Sequence, residues 1–333
     1  MIRACFLGGI LALLAACAPP APAAPVARAA IPFSRCINLG NALEAPREGD
    51  WGYTIRPADL DRIKAAGFDG VRVPVRWDVH TGAGPDFTVD PAFFARIDAV
   101  VDGALTRGLS VVLDIHHFEP MWDAPARETP RFAALWRQIA ARYADLPASL
   151  VFEVLNEPHG DVMPARVVEQ LNALALREIR GADPDRLVIV GPPQWNNISG
   201  LDGWTPPDDP HVAVTVHFYE PHDFTHSGAS WLKDPPHYDR RWGRSDDITT
   251  IRNKAARVAA FGRDHHVAML LGEFGVNTAV PLNERALWTR TVRKAFASEG
   301  AAWCAWDYAG AFKAYDQKTE GWIAPMKRAL LDQ

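Results

Sequence analysis

The chain lacks several features that would each announce a chemistry. Only four of its 333 residues are cysteine. No Cys-x-x-Cys or His-Glu-x-x-His lies in the part expected to fold, so neither common zinc pattern is present. No apolar strand runs into Gly-x-Gly-x-x-Gly, which argues against a dinucleotide-binding turn. A Gly-x-Ser-x-Gly elbow is also missing, which disfavours a Ser-His-Asp hydrolase. Positive charge is not in excess: the formal net charge is -5, so no basic footprint for nucleic acid exists. The longest apolar stretch, residues 6–16, is too short for a stable bilayer span.

What is there is ordinary globular material, 48% hydrophobic and 23% charged, with ample length for a large core. Length alone allows two domains, but a single α/β barrel also fits. Tryptophan is plentiful, with 12 residues. That exceeds what a core needs, and the flat indole face suits a sugar ring.

The N-terminus reads as a targeting segment, residues 1–17, with Arg3 ahead of the apolar stretch. Leu14-Ala15-Ala16-Cys17 resembles a bacterial lipoprotein box, whose cysteine carries lipid after cleavage before Cys17. The rival is cleavage after Ala27-Arg28-Ala29. Either reading makes the protein exported: a periplasmic, outer-membrane or cell-surface lipoprotein, or a secreted protein. Any membrane contact would then run through a lipid anchor at Cys17. Residues 18–30 are Ala/Pro-rich and read as a linker. Cys36 and Cys304 remain in the folded part. Neighbouring parallel strands rarely offer good disulfide geometry, so two buried free thiols are expected.

From residue 31 to 333 no composition break appears. Strand candidates fall at 36–39, 70–74, 110–115, 150–155, 187–190, 212–216, 268–271 and 301–305. Helix candidates fall at 57–66, 91–107, 130–144, 164–181, 246–264, 282–299 and 322–331, several with Pro in the first turn or Gly at the end. Val/Ile/Leu-rich runs suit strands buried on both faces. The alternation predicts one (β/α)8 TIM barrel over residues 31–333. Two places fit poorly. A fifth helix is hard to see after Val190, and residues 218–245 form a long loop. That loop carries Trp231, Trp242, His222 and His226; it reads as a wall of the active site, with the two histidines as loop structure.

In such barrels chemistry sits where strands end at the C-terminal face. The tips supply Asn41, Arg72, His116, His117, Asn156, Glu157, His217, Tyr219, Glu273 and Trp306. Period-two alternation puts Glu153 on the face of Glu157 but deeper, as a structural carboxylate. The adjacent His116 and His117 would point opposite ways on a strand and make poor co-ligands. No metal and no cofactor is implied.

The ordered segments are Asn38-Leu39-Gly40-Asn41, Val71-Arg72-Val73-Pro74, Leu113-Asp114-Ile115-His116-His117, Phe152-Glu153-Val154-Leu155-Asn156-Glu157-Pro158, His217-Phe218-Tyr219, Gly272-Glu273-Phe274-Gly275 and Trp306-Asp307-Tyr308. As a set they resemble glycoside hydrolase family 5, the family of many endo-β-1,4-glucanases. The resemblance spans roughly residues 33 to 331. It implies a retaining endo-acting enzyme on β-glucan chains, with Glu157 as acid/base and Glu273 as nucleophile. Arg72 would hold Glu273 ionised, and Tyr219 would orient it. Asn156 would meet the sugar 2-OH, and His217 would sit near the acid/base. His116 and Trp306 would form the subsite before the cleaved bond. Asn41 is a further tip residue, and His117 is either structural or a substrate contact. Trp51 and Trp195 are platforms further along the cleft, by position alone. The two carboxyl groups should lie about 5 Å apart and should not both be charged at rest.

Mannanase, xyloglucanase or licheninase activity on the same scaffold is the near rival. A non-catalytic carbohydrate-binding lipoprotein is the distant one. A monomer is expected.

Overall fold

The computed structural model describes residues 28–239 and 241–332. The targeting segment and most of the Ala/Pro-rich linker lie outside the described residues.

Eight short apolar runs become eight parallel strands that close in sequence order, β1-β2-β3-β4-β5-β6-β7-β8. They are β1 Arg35–Asn38, β2 Gly70–Val73, β3 Ser110–Asp114, β4 Leu150–Glu153, β5 Val188–Val190, β6 Val212–Phe218, β7 Ala268–Phe274 and β8 Ala302–Ala305. The helices are α1 Pro57–Ala66, α2 Pro91–Thr106, α3 Glu119–Asp123, α4 Pro125–Tyr143, α5 Ala165–Ala182, α6 His222–Thr225, α7 Ser245–Asp264, α8 Leu282–Ser298 and α9 Ala324–Leu331. This is the (β/α)8 barrel that the alternation predicts.

Local chemistry explains most boundaries. Helix α1 starts on Pro57 and stops at Gly67, whose φ of 108° closes the last turn. In α2, Pro91 follows Asp90, whose side chain accepts from the Ala92 N–H. Helix α4 starts earlier than expected because a second proline, Pro125, occupies its first turn. After β5 only a 3-10 turn, Ile198–Leu201, stands where a fifth helix would be, and a large loop takes that place.

The core has two layers. The larger lies between strands and helices, with Trp136, Phe152 and Trp288 fully buried. The smaller fills the barrel with Val112, Val151, Ile189, Ala213 and Leu270. Here one expectation is corrected: Cys36 and Cys304 form a disulfide. Strands β1 and β8 close the barrel in a register that sets Cys36 directly opposite Cys304. Both side chains point into the barrel, with Cα atoms 4.2 Å apart. Adjacency in a sheet does not by itself give that geometry, but this register does. Among the described residues no helix is long and apolar enough to cross a membrane.

Candidate active site

Above the apolar layer the barrel interior turns polar. Asn38, Arg72, Asp114, Glu153 and Thr215 all have zero exposure. Arg72, on β2, organises this layer. Its Nε and Nη2 donate to Glu153 at 2.7 and 2.8 Å, and Nη2 lies 2.9 Å from Asp114. Nη1 donates to Asn38 at 2.9 Å and to Glu273 at 2.7 Å. Nη2 also reaches the Asn156 amide oxygen at 2.8 Å. One buried cation thus faces three carboxylates, an arrangement that is tolerable only with hydrogen bonds on every side. Glu153 is the interior carboxylate that alternation predicts.

Glu273 comes to the mouth through an irregularity. Val216 pairs with Leu271, but His217 pairs with Glu273, so Gly272 is an extra residue on β7. Such a bulge re-aims the next side chain. It requires glycine, because a Cβ at 272 would stand 2.3 Å from the Thr215 hydroxyl oxygen. The Glu273 carboxylate then accepts from Arg72 on one oxygen and from the Tyr219 hydroxyl on the other, at 2.9 Å.

Glu157 follows the end of β4 with φ 47°, left-handed backbone for a non-glycine residue. One of its oxygens lies 2.8 Å from Nδ1 of His217, which stands 3.6 Å from Glu273 as well. One ligating atom each of Glu157, His217 and Glu273 fall within 4.8 Å of one another. These three could also grip a divalent cation, although nothing in their chemistry requires one.

Burial pushes the Glu157 carboxyl up to about 7, against the pull of Arg72 and His159. Burial also pushes Glu273 to about 7, against His217 and Arg72, while the Glu157 charge raises it further. The two titrate as a pair. Glu273 has two fixed donors on its ionised form and Glu157 has one, so the shared proton belongs on Glu157. His217, buried between them, is held below its ordinary value by burial and is neutral.

The rest of the expected set falls around this pair. Asn156 is buried, and its oxygen is taken by Arg72, which leaves its NH2 to donate. The His116 ring stacks parallel to Trp306, 5.5 Å between centroids, with Nδ1 2.8 Å from Asp114. Gly40 permits this, since a Cβ there would meet the Trp306 ring at 2.8 Å. Strand β3 ends at Asp114, so both histidines after it leave the strand alternation. Their rings meet at 4.8 Å instead of pointing apart. His117 in turn packs edge-on to Trp51 at 5.7 Å, and Trp51 is 43% exposed.

Asn41 lies against Gly310 in the loop after β8, beside Asp307, and its N–H donates to the Glu44 carboxylate. Trp195 is exposed and stacks on His159 at 4.6 Å, which touches Trp122 at 4.8 Å. In the long loop Trp231 is exposed, but Trp242 is buried against Phe224, so only the first can face the cleft. His222 and His226 stack on each other at 4.0 Å, consistent with a structural role.

Sequence reading missed the contributions of Asn38, Gly40, Gly272 and His159. A glycine just before a strand-tip glutamate was a signal for the bulge; Asn38 and Gly40 stand in the first of the ordered segments but carried no assigned role, and His159 had no signal.

Residues 38–311 match the family model described as Cellulase (glycosyl hydrolase family 5). Endoglucanase H of Acetivibrio thermocellus is 34% identical over 270 residues, covering 81% of this chain and 29% of that protein. Cellulase/esterase CelE of the same organism is 30% identical over 321 residues, covering 86% of this chain and 38% of its own length. The chain therefore spans well under half the length of these two relatives. Among solved structures, Thermotoga maritima Cel5A with cellobiose superposes with TM-score 0.87 at 38% identity, covering 90% of this chain and 97% of that one. The same protein with mannotriose superposes with TM-score 0.87.

Proposed function

The chain belongs to glycosyl hydrolase family 5, and on that footing we propose that it is a retaining, endo-acting β-1,4-glucanase. The observation that carries this is the Glu157–Glu273 pair, with oxygens within 4.8 Å. That spacing suits direct attack by one carboxylate; inverting enzymes hold theirs roughly 6.5–9.5 Å apart to admit a water.

In the first step Glu273, ionised between Arg72 and Tyr219, attacks the anomeric carbon. The glycosidic C–O bond breaks, and the Glu157 proton passes to the departing oxygen. Loss of that proton leaves Glu157 a base. In the second step it takes a proton from water, the water oxygen bonds to the anomeric carbon, and the ester to Glu273 breaks. The Asn156 NH2 holds the 2-OH, a contact that tightens as positive charge develops on the ring. Trp306 and His116 floor the sugar before the cleaved bond. Trp51 and Trp195 extend the platform, and His117 and Asn41 line or support it.

The substrate reading rests on the endoglucanase relatives. The Cel5A complexes with both cellobiose and mannotriose support mannan as a second substrate. Export, by lipid anchor at Cys17 or by full secretion, is supported by the N-terminal pattern. The buried disulfide supports it too, since such bridges persist in oxidising compartments.

The test is a reducing-sugar assay on carboxymethylcellulose beside mannan, xyloglucan and xylan, with the anomer of the first product followed by NMR. Retention and highest activity on the glucan are expected. Inversion would remove the nucleophile assignment, and higher activity on mannan would reassign the substrate.

A further inference from the structure

Asn196 has zero exposure and ends a run of three left-handed residues. Gln194, Trp195 and Asn196 have φ of 62°, 58° and 52°. None is glycine, so each is held in a conformation its Cβ disfavours. Such backbone persists only where its surroundings over-determine it, and it gathers at functional sites. Here the Trp195 N–H donates to the Pro158 carbonyl at 3.2 Å, and the Asn197 N–H to the Gln194 carbonyl at 3.0 Å. The Ser199 hydroxyl ties down the Gln194 side chain at 2.8 Å.

What the strained turn achieves is the placement of Asn196. Its backbone carbonyl accepts from the His217 N–H at 2.8 Å. Its amide lies between the Pro192 carbonyl and the Glu157 N–H, and only with nitrogen toward the first, at 2.9 Å, and oxygen toward the second, at 3.3 Å, are both partners satisfied. Gly191 leaves room for that amide, since a Cβ there would stand 2.2 Å from the end of the side chain. Glu157 is itself left-handed, with φ 47°. One residue therefore grips the main chain at both Glu157 and His217, whose side chains meet at 2.8 Å.

We propose that Asn196 is a positioning residue for proton transfer: it holds Glu157 and His217 in one frame and so fixes where the acid proton is delivered. This rests on the reading of Glu157 as acid/base.

The experiment compares two substrates. Cleavage of an unactivated β-1,4-gluco-oligosaccharide needs the acid; a 2,4-dinitrophenyl β-cellobioside has a leaving group that departs unaided. Asn196→Gly suits the test because glycine accepts left-handed backbone freely and only the amide is lost. We expect kcat/KM on the oligosaccharide to fall roughly 10-fold or more, with the dinitrophenyl substrate nearly unchanged. Equal loss on both, or loss on neither, overturns the proposal. Glu157→Ala is run alongside. If it too fails to separate the substrates, the acid/base reading falls; if it separates them and Asn196→Gly does not, only the positioning role falls. Asn196→Ala serves if the glycine variant does not fold: it removes the same amide, the same split between the two substrates is expected, and equal loss on both or loss on neither overturns the proposal.

Discussion

Arg72 shows how much one side chain can settle. Its five donors are spread over Glu153, Asn38, Glu273 and Asn156, so Glu273 shares a cation with deeper acids rather than owning it. Burial then wins, and both mouth carboxyls sit near 7. The sign of the pH dependence follows. Below that range Glu273 takes a proton and stops attacking; above it Glu157 loses the proton it must give. A bell-shaped kcat/KM profile centred near neutrality is expected on a soluble oligosaccharide, and a profile flat from about pH 5 to 9 would contradict it. Glu273→Ala should lower turnover by at least about 10³-fold with unchanged folding by circular dichroism; substantial residual turnover would place the nucleophile elsewhere. The identities of these residues were legible in the sequence because strand tips are. The grip of Asn196 was not, because its partners Glu157 and His217 lie on other strands' ends.

At the scale of elements, β7 is the informative one. It reads as a strand from its apolar residues, but its bulge at Gly272 is visible only in the pairing with β6. Gly272→Ala should force a Cβ against Thr215. The expected cost is about 1–3 kcal/mol of stability, measured by urea unfolding, with a larger proportional loss of kcat than of substrate affinity as Glu273 swings off line. Unchanged kcat would mean that the bulge does not aim the carboxylate. Strand and helix boundaries matched the sequence pattern where capping residues mark them, as at Pro57 and Gly67. After β5, where no amphipathic period exists to read and no helix is expected, only the 3-10 turn Ile198–Leu201 forms. The His116–His117 pair was misread for a related reason: alternation holds only while the strand lasts, and β3 stops two residues earlier.

For the whole molecule the disulfide is the main departure. It joins residues 268 apart in sequence, across the seam where the last strand meets the first. Such a bridge restricts the unfolded chain strongly, so Cys36→Ala with Cys304→Ala should cost about 2–5 kcal/mol. Urea unfolding with and without reductant checks this. Activity at mild temperature should persist, because the bridge lies in the apolar layer below the polar one. A wild-type midpoint insensitive to reductant, in a chain shown by thiol titration to be fully reduced, would contradict it.

By itself the sequence determined the eight-fold alternation, the two strand-tip glutamates and their helpers, because periodicity and strand ends are local properties written in nearest-neighbour order. The tertiary structure alone decided three things: that β1 meets β8 in a register that bonds Cys36 to Cys304, that Gly272 turns Glu273 onto His217, and that a strained turn after β5 grips Glu157 from behind. Each depends on which residues stand opposite one another across strands, and that is set only when the barrel closes.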